Sequence, residues 1–171
     1  NKPLAVMVRS LADTERLCHV DDAERGLLAG SIRPIVLLRR RAVGEEDFPD
    51  ALTLAPSVAH DLPELGVMLP YTPLQHLLLA AAASHDMHAL VMTSGNLSEE
   101  PIETDDALAW KHLVAAGIAD ALLGNDRAIL SRYDDSVVRV FDGTVMPVRR
   151  ARGYAPRPLP LPAFDAVTPC V

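Results

Sequence analysis

Four short aliphatic runs limit how this chain can fold: residues 3–8 (PLAVMV), 34–39 (PIVLLR), 65–69 (LGVML) and 89–92 (ALVM). Each is too short for a globular helix and rich in aliphatic side chains, so each reads as a buried strand. Between them lie stretches of helical spacing at 11–18, 21–28 and 73–84. Ser10, Asp21 and Thr72 are suited to N-caps, Gly30 to a stop, and Pro73 to the first helical position. Strands interleaved with helices predict an α/β domain built on a twisted mixed sheet with flanking helices. Further on, the spacing predicts a helix over 104–116 stopped by Gly117, a short strand over 119–123, and a hairpin of 136–141 with 144–148. Asp142-Gly143 supplies the turn of that hairpin. Residues 42–64 form an acidic, proline-bearing excursion, and 154–171, with five prolines, read as an extended tail or linker.

At 171 residues and 49% hydrophobic content the chain can bury a real core, and with 4% aromatic residues that core must be aliphatic. No apolar run has the length of a membrane span and no leader pattern is present, so no membrane role is expected. Cys18 and Cys170 stand far apart without a CxxC spacing, which fits a reduced, cytoplasmic protein. The net charge of -7 argues against general nucleic-acid binding. Fourteen of the sixteen basic residues are nevertheless arginine, clustered at 39–41 and again at 149, 150, 152 and 157. Planar, bidentate donors concentrated on an acidic body suit local recognition of phosphate or carboxylate.

The candidate site is the stretch 92–101 (MTSGNLSEEP), which follows the fourth run. Thr93, Ser94 and Asn96 offer hydroxyl and amide donors, and Gly95 lets a ligand approach the backbone. Read alone, the same residues also suit an ordinary capped loop. No P-loop, GxGxxG or nucleophile elbow is present, and no histidine adjoins Ser94. Chemistry by positioning and charge stabilisation, as in phosphoryl or nucleotidyl transfer, fits better than a covalent intermediate, so no nucleophile or base is assigned. His85 with His88, and Cys18 with His19, lack further ligands at useful spacing for a metal. In 134–136, Asp135 could hold Mg²⁺ or could simply begin a strand.

Four stretches in order, 65–79 (LGVMLPYTPLQHLLL), 90–102 (LVMTSGNLSEEPI), 134–140 (DDSVVRV) and 149–156 (RRARGYAP), resemble the YrdC-like domain of HypF, the carbamoyltransferase that matures nickel–iron hydrogenases. Lys2-Pro3, Ser94-Gly95-Asn96, Ser136-Val137-Val138 and Val148-Arg149 match positions that hold ATP phosphates and the acyl-adenylate in the wider superfamily. The resemblance implies a YrdC-type sheet with a concave ligand cleft over residues 1–153, followed by the linker 154–171. It implies ATP and adenylate binding by Lys2, Thr93, Ser94, Asn96, Ser136, Arg149 and Arg152, with Arg150 as an alternative arginine for the clamp and Mg²⁺ as cofactor. The implied reaction joins a carbamate derived from carbamoyl phosphate to ATP, giving carbamoyl-adenylate. The carbamoyl group then passes to the HypE protein through a domain absent from this chain, as is the domain that would carry zinc.

Three features depart from the family pattern. The chain opens at Asn1-Lys2-Pro3, where the family has a further strand and helix upstream. Residues 124–127 (GNDR) replace a histidine-bearing version, and Tyr133 stands where a cysteine or other small residue is expected. Two alternatives follow from the same superfamily: a threonylcarbamoyl-adenylate synthase serving tRNA modification, and a non-catalytic RNA-binding module.

Overall fold

A computed structural model of the chain describes residues 4–42, 51–59 and 62–159. It contains six strands, β1 (Ala5–Val8), β2 (Ile35–Arg39), β3 (Glu64–Met68), β4 (Ala89–Met92), β5 (Val137–Phe141) and β6 (Thr144–Arg149). Five helices join them: α1 (Leu11–Glu15), α2 (Asp22–Ala29), α3 (Pro56–Ala59), α4 (Pro73–Ala83) and α5 (Asp106–Ala109). The strands form one mixed sheet in the order β4-β1-β3-β2-β5-β6. β1–β3 and β2–β5 are parallel pairs, and the other three neighbours are antiparallel.

Local chemistry sets the helix starts as expected. Ser10 accepts from the Asp13 N–H, and Asp21 with Glu24 and Thr72 with Gln75 form reciprocal capping boxes. Pro73 opens α4, where its missing N–H costs nothing. Gly30 ends α2 in an extended conformation, so a positive φ is not what the position demands. A Cβ there would lie 2.8 Å from the Gly26 carbonyl oxygen. Asp142 and Gly143, with φ of 48° and 70°, give the hairpin its tight turn.

Alternation along the strands divides the sheet into two unlike faces. Val6, Val8, Val36, Leu38, Leu65, Val67 and Val138 point to one side and pack with Leu17, Cys18 and Leu28 from the α1–α2 region and Val58 and Ala59 from α3. This is the main core. Met7, Ile35 and Met68 point to the other side and meet Leu79 of α4. That helix covers only part of its face.

Two expectations are corrected. The predicted strand at 119–123 does not form; residues 121–130 run exposed over the surface and pair with no strand among the described residues. Apolar content alone suggested a strand, and this stretch reaches neither edge of the sheet, β4 or β6. The predicted helix 104–116 is shorter, beginning at Asp106 behind the Asp105 cap and passing into a π-helical turn, Trp110–Val114. In the 42–64 excursion, residues 43–50 and 60–61 lie outside the described residues, while α3 delivers two core side chains. In the tail, Tyr154 packs against the main core, and residues 160–171 lie outside the described residues.

Cys18 is a free thiol, fully buried, and burial pushes its pKa up to about 12. A folded pKa above the unfolded one favours the fold fully below about pH 8.5, and this contribution is lost as pH climbs from there toward 12. In a Cys170→Ser background, iodoacetamide at pH 8 is expected to leave the native chain unlabelled and to label it once guanidinium unfolds it. Rapid native labelling would show that the core opens at Cys18.

Candidate functional site

The partly covered face is the floor of a cleft of about 610 Å³. Ala5 and Met7 of β1, Ile35 and Leu37 of β2, Gly66 and Met68 of β3 and Val137 of β5 line it, so the floor is apolar across the middle of the sheet. Register explains the alignment: Met7 lies beside Met68, Gly66 beside Leu37, and Ile35 beside Val137. Gly66 keeps the floor low. A Cβ there would meet the Ile35 Cγ2 at 3.1 Å and the Ala5 Cβ at 3.5 Å.

Polar groups ring this floor. Thr93 and Ser94, directly after β4, are exposed and line one wall. No hydrogen bond within the described residues occupies either hydroxyl, so both can donate to a ligand. Asp134, Asp135 and Arg149 line the wall nearest β5 and β6. Arg149 Nε donates to the Asp135 carbonyl at 2.8 Å, and Nη1 lies 3.7 Å from an Asp134 carboxylate oxygen. The guanidinium is anchored at Nε and leans on Asp134 through Nη1, and among the described residues nothing pairs with Nη2.

β4 and β5 are four places apart in the sheet, a separation of roughly 19 Å in a flat one. Yet Arg132 Nε, just ahead of β5, donates to the carbonyl of Ile102, beyond β4, at 2.6 Å. Ile102 and Tyr133 both line the cleft. The segment after β4 and the segment before β5 therefore meet over the cleft and narrow its mouth.

The remaining expected site residues are placed differently. Asn96 does not line the cleft; its amide nitrogen donates to the carbonyls of Leu97 (2.8 Å) and Glu100 (2.9 Å), holding the loop that carries Ser94. Ser136 is fully buried, donating to the Arg152 carbonyl at 2.9 Å and accepting from the Ala151 N–H at 2.7 Å. Its only proton is committed to a latch behind the wall. Arg152 is likewise engaged, through Nε to the Asp135 carboxylate (2.8 Å), Nη1 to the Ile32 carbonyl (3.0 Å) and Nη2 to the Arg33 carbonyl (2.7 Å). Its guanidinium also sits 3.5 Å from the centre of the Tyr71 ring. Arg150 donates to the carbonyls of Tyr154 and Arg157. Of Arg149, Arg150 and Arg152, the cleft is lined by Arg149. Lys2 lies outside the described residues.

Sequence reasoning missed Tyr71 and Gln75, which also line the cleft. Gln75 Oε1 accepts from the N–H groups of Tyr71 and Thr72, and its amide nitrogen has no partner among the described residues. A capping signal was legible there; its second duty was not. Away from the cleft, Glu100, Glu103 and His112 bring possible metal-ligand atoms within 4.8 Å of one another. The His112 ring lies 2.6 Å from Glu103, an ion pair or hydrogen bond that ties the loop to the π-helical turn.

For Mg²⁺, the donor chemistry in the cleft fits. Asp134 is largely exposed and Asp135 has one carboxylate oxygen held by Arg152, which leaves hard oxygen ligands beside the arginine.

Comparison with known proteins agrees with this architecture. The Sua5_yciO_yrdC family, described as "Telomere recombination", matches residues 1–151. The carbamoyltransferase HypF of Rhizobium leguminosarum bv. viciae is 42% identical over 95% of this chain, and that of Rhodobacter capsulatus 48% over 94%. This chain spans about a fifth of the length of these relatives, 20% and 19% respectively. A full-length HypF crystallised in a phosphate- and nucleotide-bound form superposes with a TM-score of 0.78 at 43% identity, over 92% of this chain and 22% of that one. Sua5 of P. abyssi, complexed with L-threonine, gives 0.66 at 15% identity over 88% of this chain and 40% of that one, and so shares the fold. Among the described residues no helix is long and apolar enough to cross a membrane. The chain thus belongs to the Sua5–YciO–YrdC family, where it corresponds to the YrdC-like domain of HypF carbamoyltransferases.

Proposed function

We propose that the cleft binds ATP and a carbamate derived from carbamoyl phosphate, and forms carbamoyl-adenylate within a HypF-type carbamoyltransferase. The carrying observation is a cleft whose apolar floor is lined by hydroxyls unpaired among the described residues, Thr93 and Ser94, and by Arg149 with its Nη2 unpaired there. An apolar floor suits a nucleobase, and hydroxyl and guanidinium donors suit phosphate oxygens. A carbamate oxygen attacks the α-phosphorus, the new O–P bond forms as the bond to the β-phosphate oxygen breaks, and pyrophosphate leaves with that electron pair. Arg149, Ser94 and Thr93 hold the oxygens on which charge grows, and Lys2 is assigned a point charge on the phosphates. Asn96, Ser136 and Arg152 act one step back, fixing the loop and wall that present those donors. Asp134 and Asp135 would hold Mg²⁺, which supplies charge neutralisation to the bound phosphates.

In the longer polypeptide the carbamoyl group would pass on to HypE, with residues 154–171 as the link to the transferring domain. The closer likeness to HypF favours this substrate over threonine, since the Sua5 likeness shows fold alone. The test is ATP–pyrophosphate exchange in a full-length HypF carrying this domain. Thr93→Ala with Ser94→Ala is expected to lower the rate at least a hundredfold with carbamoyl phosphate present. An unchanged rate would remove these hydroxyls from the site. Exchange that depends on threonine would transfer the domain to the synthase reading.

A further inference from the structure

We infer that Tyr133 is the residue that clamps the nucleobase, stacking on a purine ring held against the apolar floor. This rests on the nucleotide reading of the cleft. The floor offers aliphatic and thioether groups from Met7, Ile35, Leu37 and Met68 to one face of a planar ring. Its other face needs a lid, and two aromatic side chains line the cleft, Tyr71 and Tyr133.

Tyr71 has little freedom for the task. One face of its ring is covered by the Arg152 guanidinium at 3.5 Å, and that guanidinium is fixed by Asp135 and the carbonyls of Ile32 and Arg33. Tyr133 is the opposite case. It is 67% exposed, and nothing among the described residues pairs with its hydroxyl. Its neighbour Arg132 is tied by its side chain to the Ile102 carbonyl at the mouth, while the Tyr133 ring stays free to turn over a ligand. An exposed aromatic ring beside an apolar cavity has unspent surface on both faces, and a base supplies the partner that solvent cannot. A cysteine or serine at this position would leave the mouth open.

The experiment compares ATP with inorganic tripolyphosphate, binding each to the wild-type chain, Tyr133→Phe and Tyr133→Ser by calorimetry. Tyr133→Ser is expected to weaken ATP about 10- to 100-fold, to leave tripolyphosphate unchanged, and to keep the wild-type Tm, since the side chain is exposed. Tyr133→Phe is expected to bind ATP like wild type, because the ring carries the interaction. ATP affinity unchanged in Tyr133→Ser would overturn the clamp. A wild-type chain that binds tripolyphosphate as tightly as ATP would also overturn it while leaving the phosphate site standing. A chain that binds neither would remove the nucleotide reading itself, and the clamp with it.

Discussion

Replacing Arg152 by alanine is expected to lower the unfolding free energy by about 3 kcal/mol, the range for removing one partner of a largely desolvated ion pair. Its side chain is 22% exposed and that of Asp135 is 26% exposed. The loss would orphan the Ile32 and Arg33 carbonyls, bare one face of Tyr71 and leave the Asp135 carboxylate without its counter-charge. For a chain of this size such a loss corresponds to a fall in Tm of roughly 6–12 °C. Arg152→Lys should recover only part, because an ammonium cannot reproduce three separate bonds and a stacked plane. Thermal unfolding of the three proteins checks this. An alanine variant within about 0.5 kcal/mol of wild type would mean that the wall stands without the arginine.

Arg149→Ala is expected to behave in the opposite way, with a large effect on ligand and a small one on the fold. Its bond to the Asp135 carbonyl is solvent-exposed, and its contact with Asp134 is long, so unfolding should change by no more than about 1 kcal/mol. Loss of a charged hydrogen bond to phosphate is worth about 1.5–3 kcal/mol, so ATP affinity should fall roughly 10- to 150-fold. Arg149→Lys should fall between, retaining charge without the fork. Calorimetry with ATP at two salt concentrations separates these cases. Equal ATP binding by wild type and Arg149→Ala would take this residue out of the site. Together the two variants divide neighbouring arginines of one cluster into a wall-builder and a ligand-holder.

That division could not be read from the chain. Arg149, Arg150 and Arg152 have the same chemistry, and only the fold decides which carbonyls and carboxylates reach each guanidinium. Asn96 and Ser136 show the same limit. Their residue types announce hydrogen bonding, but their donors are taken by Leu97, Glu100 and Arg152 within the protein. The strands and caps were legible because their signals are local: aliphatic runs of strand length, and capping residues at the starts of α1, α2 and α4. The stretch 119–123 had the composition of a strand but lacked a neighbour, and pairing is a property of the whole sheet. Tyr133 was visible only as a departure from the family pattern, and its place at the mouth needed the structure.

Because successive residues of each strand serve different faces, the domain has two nearly separate sets of positions on which variation can act. Leu38, Val67 and Val138 answer to the core, while Leu37, Gly66 and Val137, one residue away in each strand, answer to the cleft. Changes confined to the second set can reshape what the cleft accepts while leaving the interior that sustains the fold intact. A single-residue slip of β2 would turn Val36 and Leu38 to the cleft and Ile35 and Leu37 to the core. Such a scaffold can drift in ligand choice among relatives that keep its architecture, provided its strands never lose count.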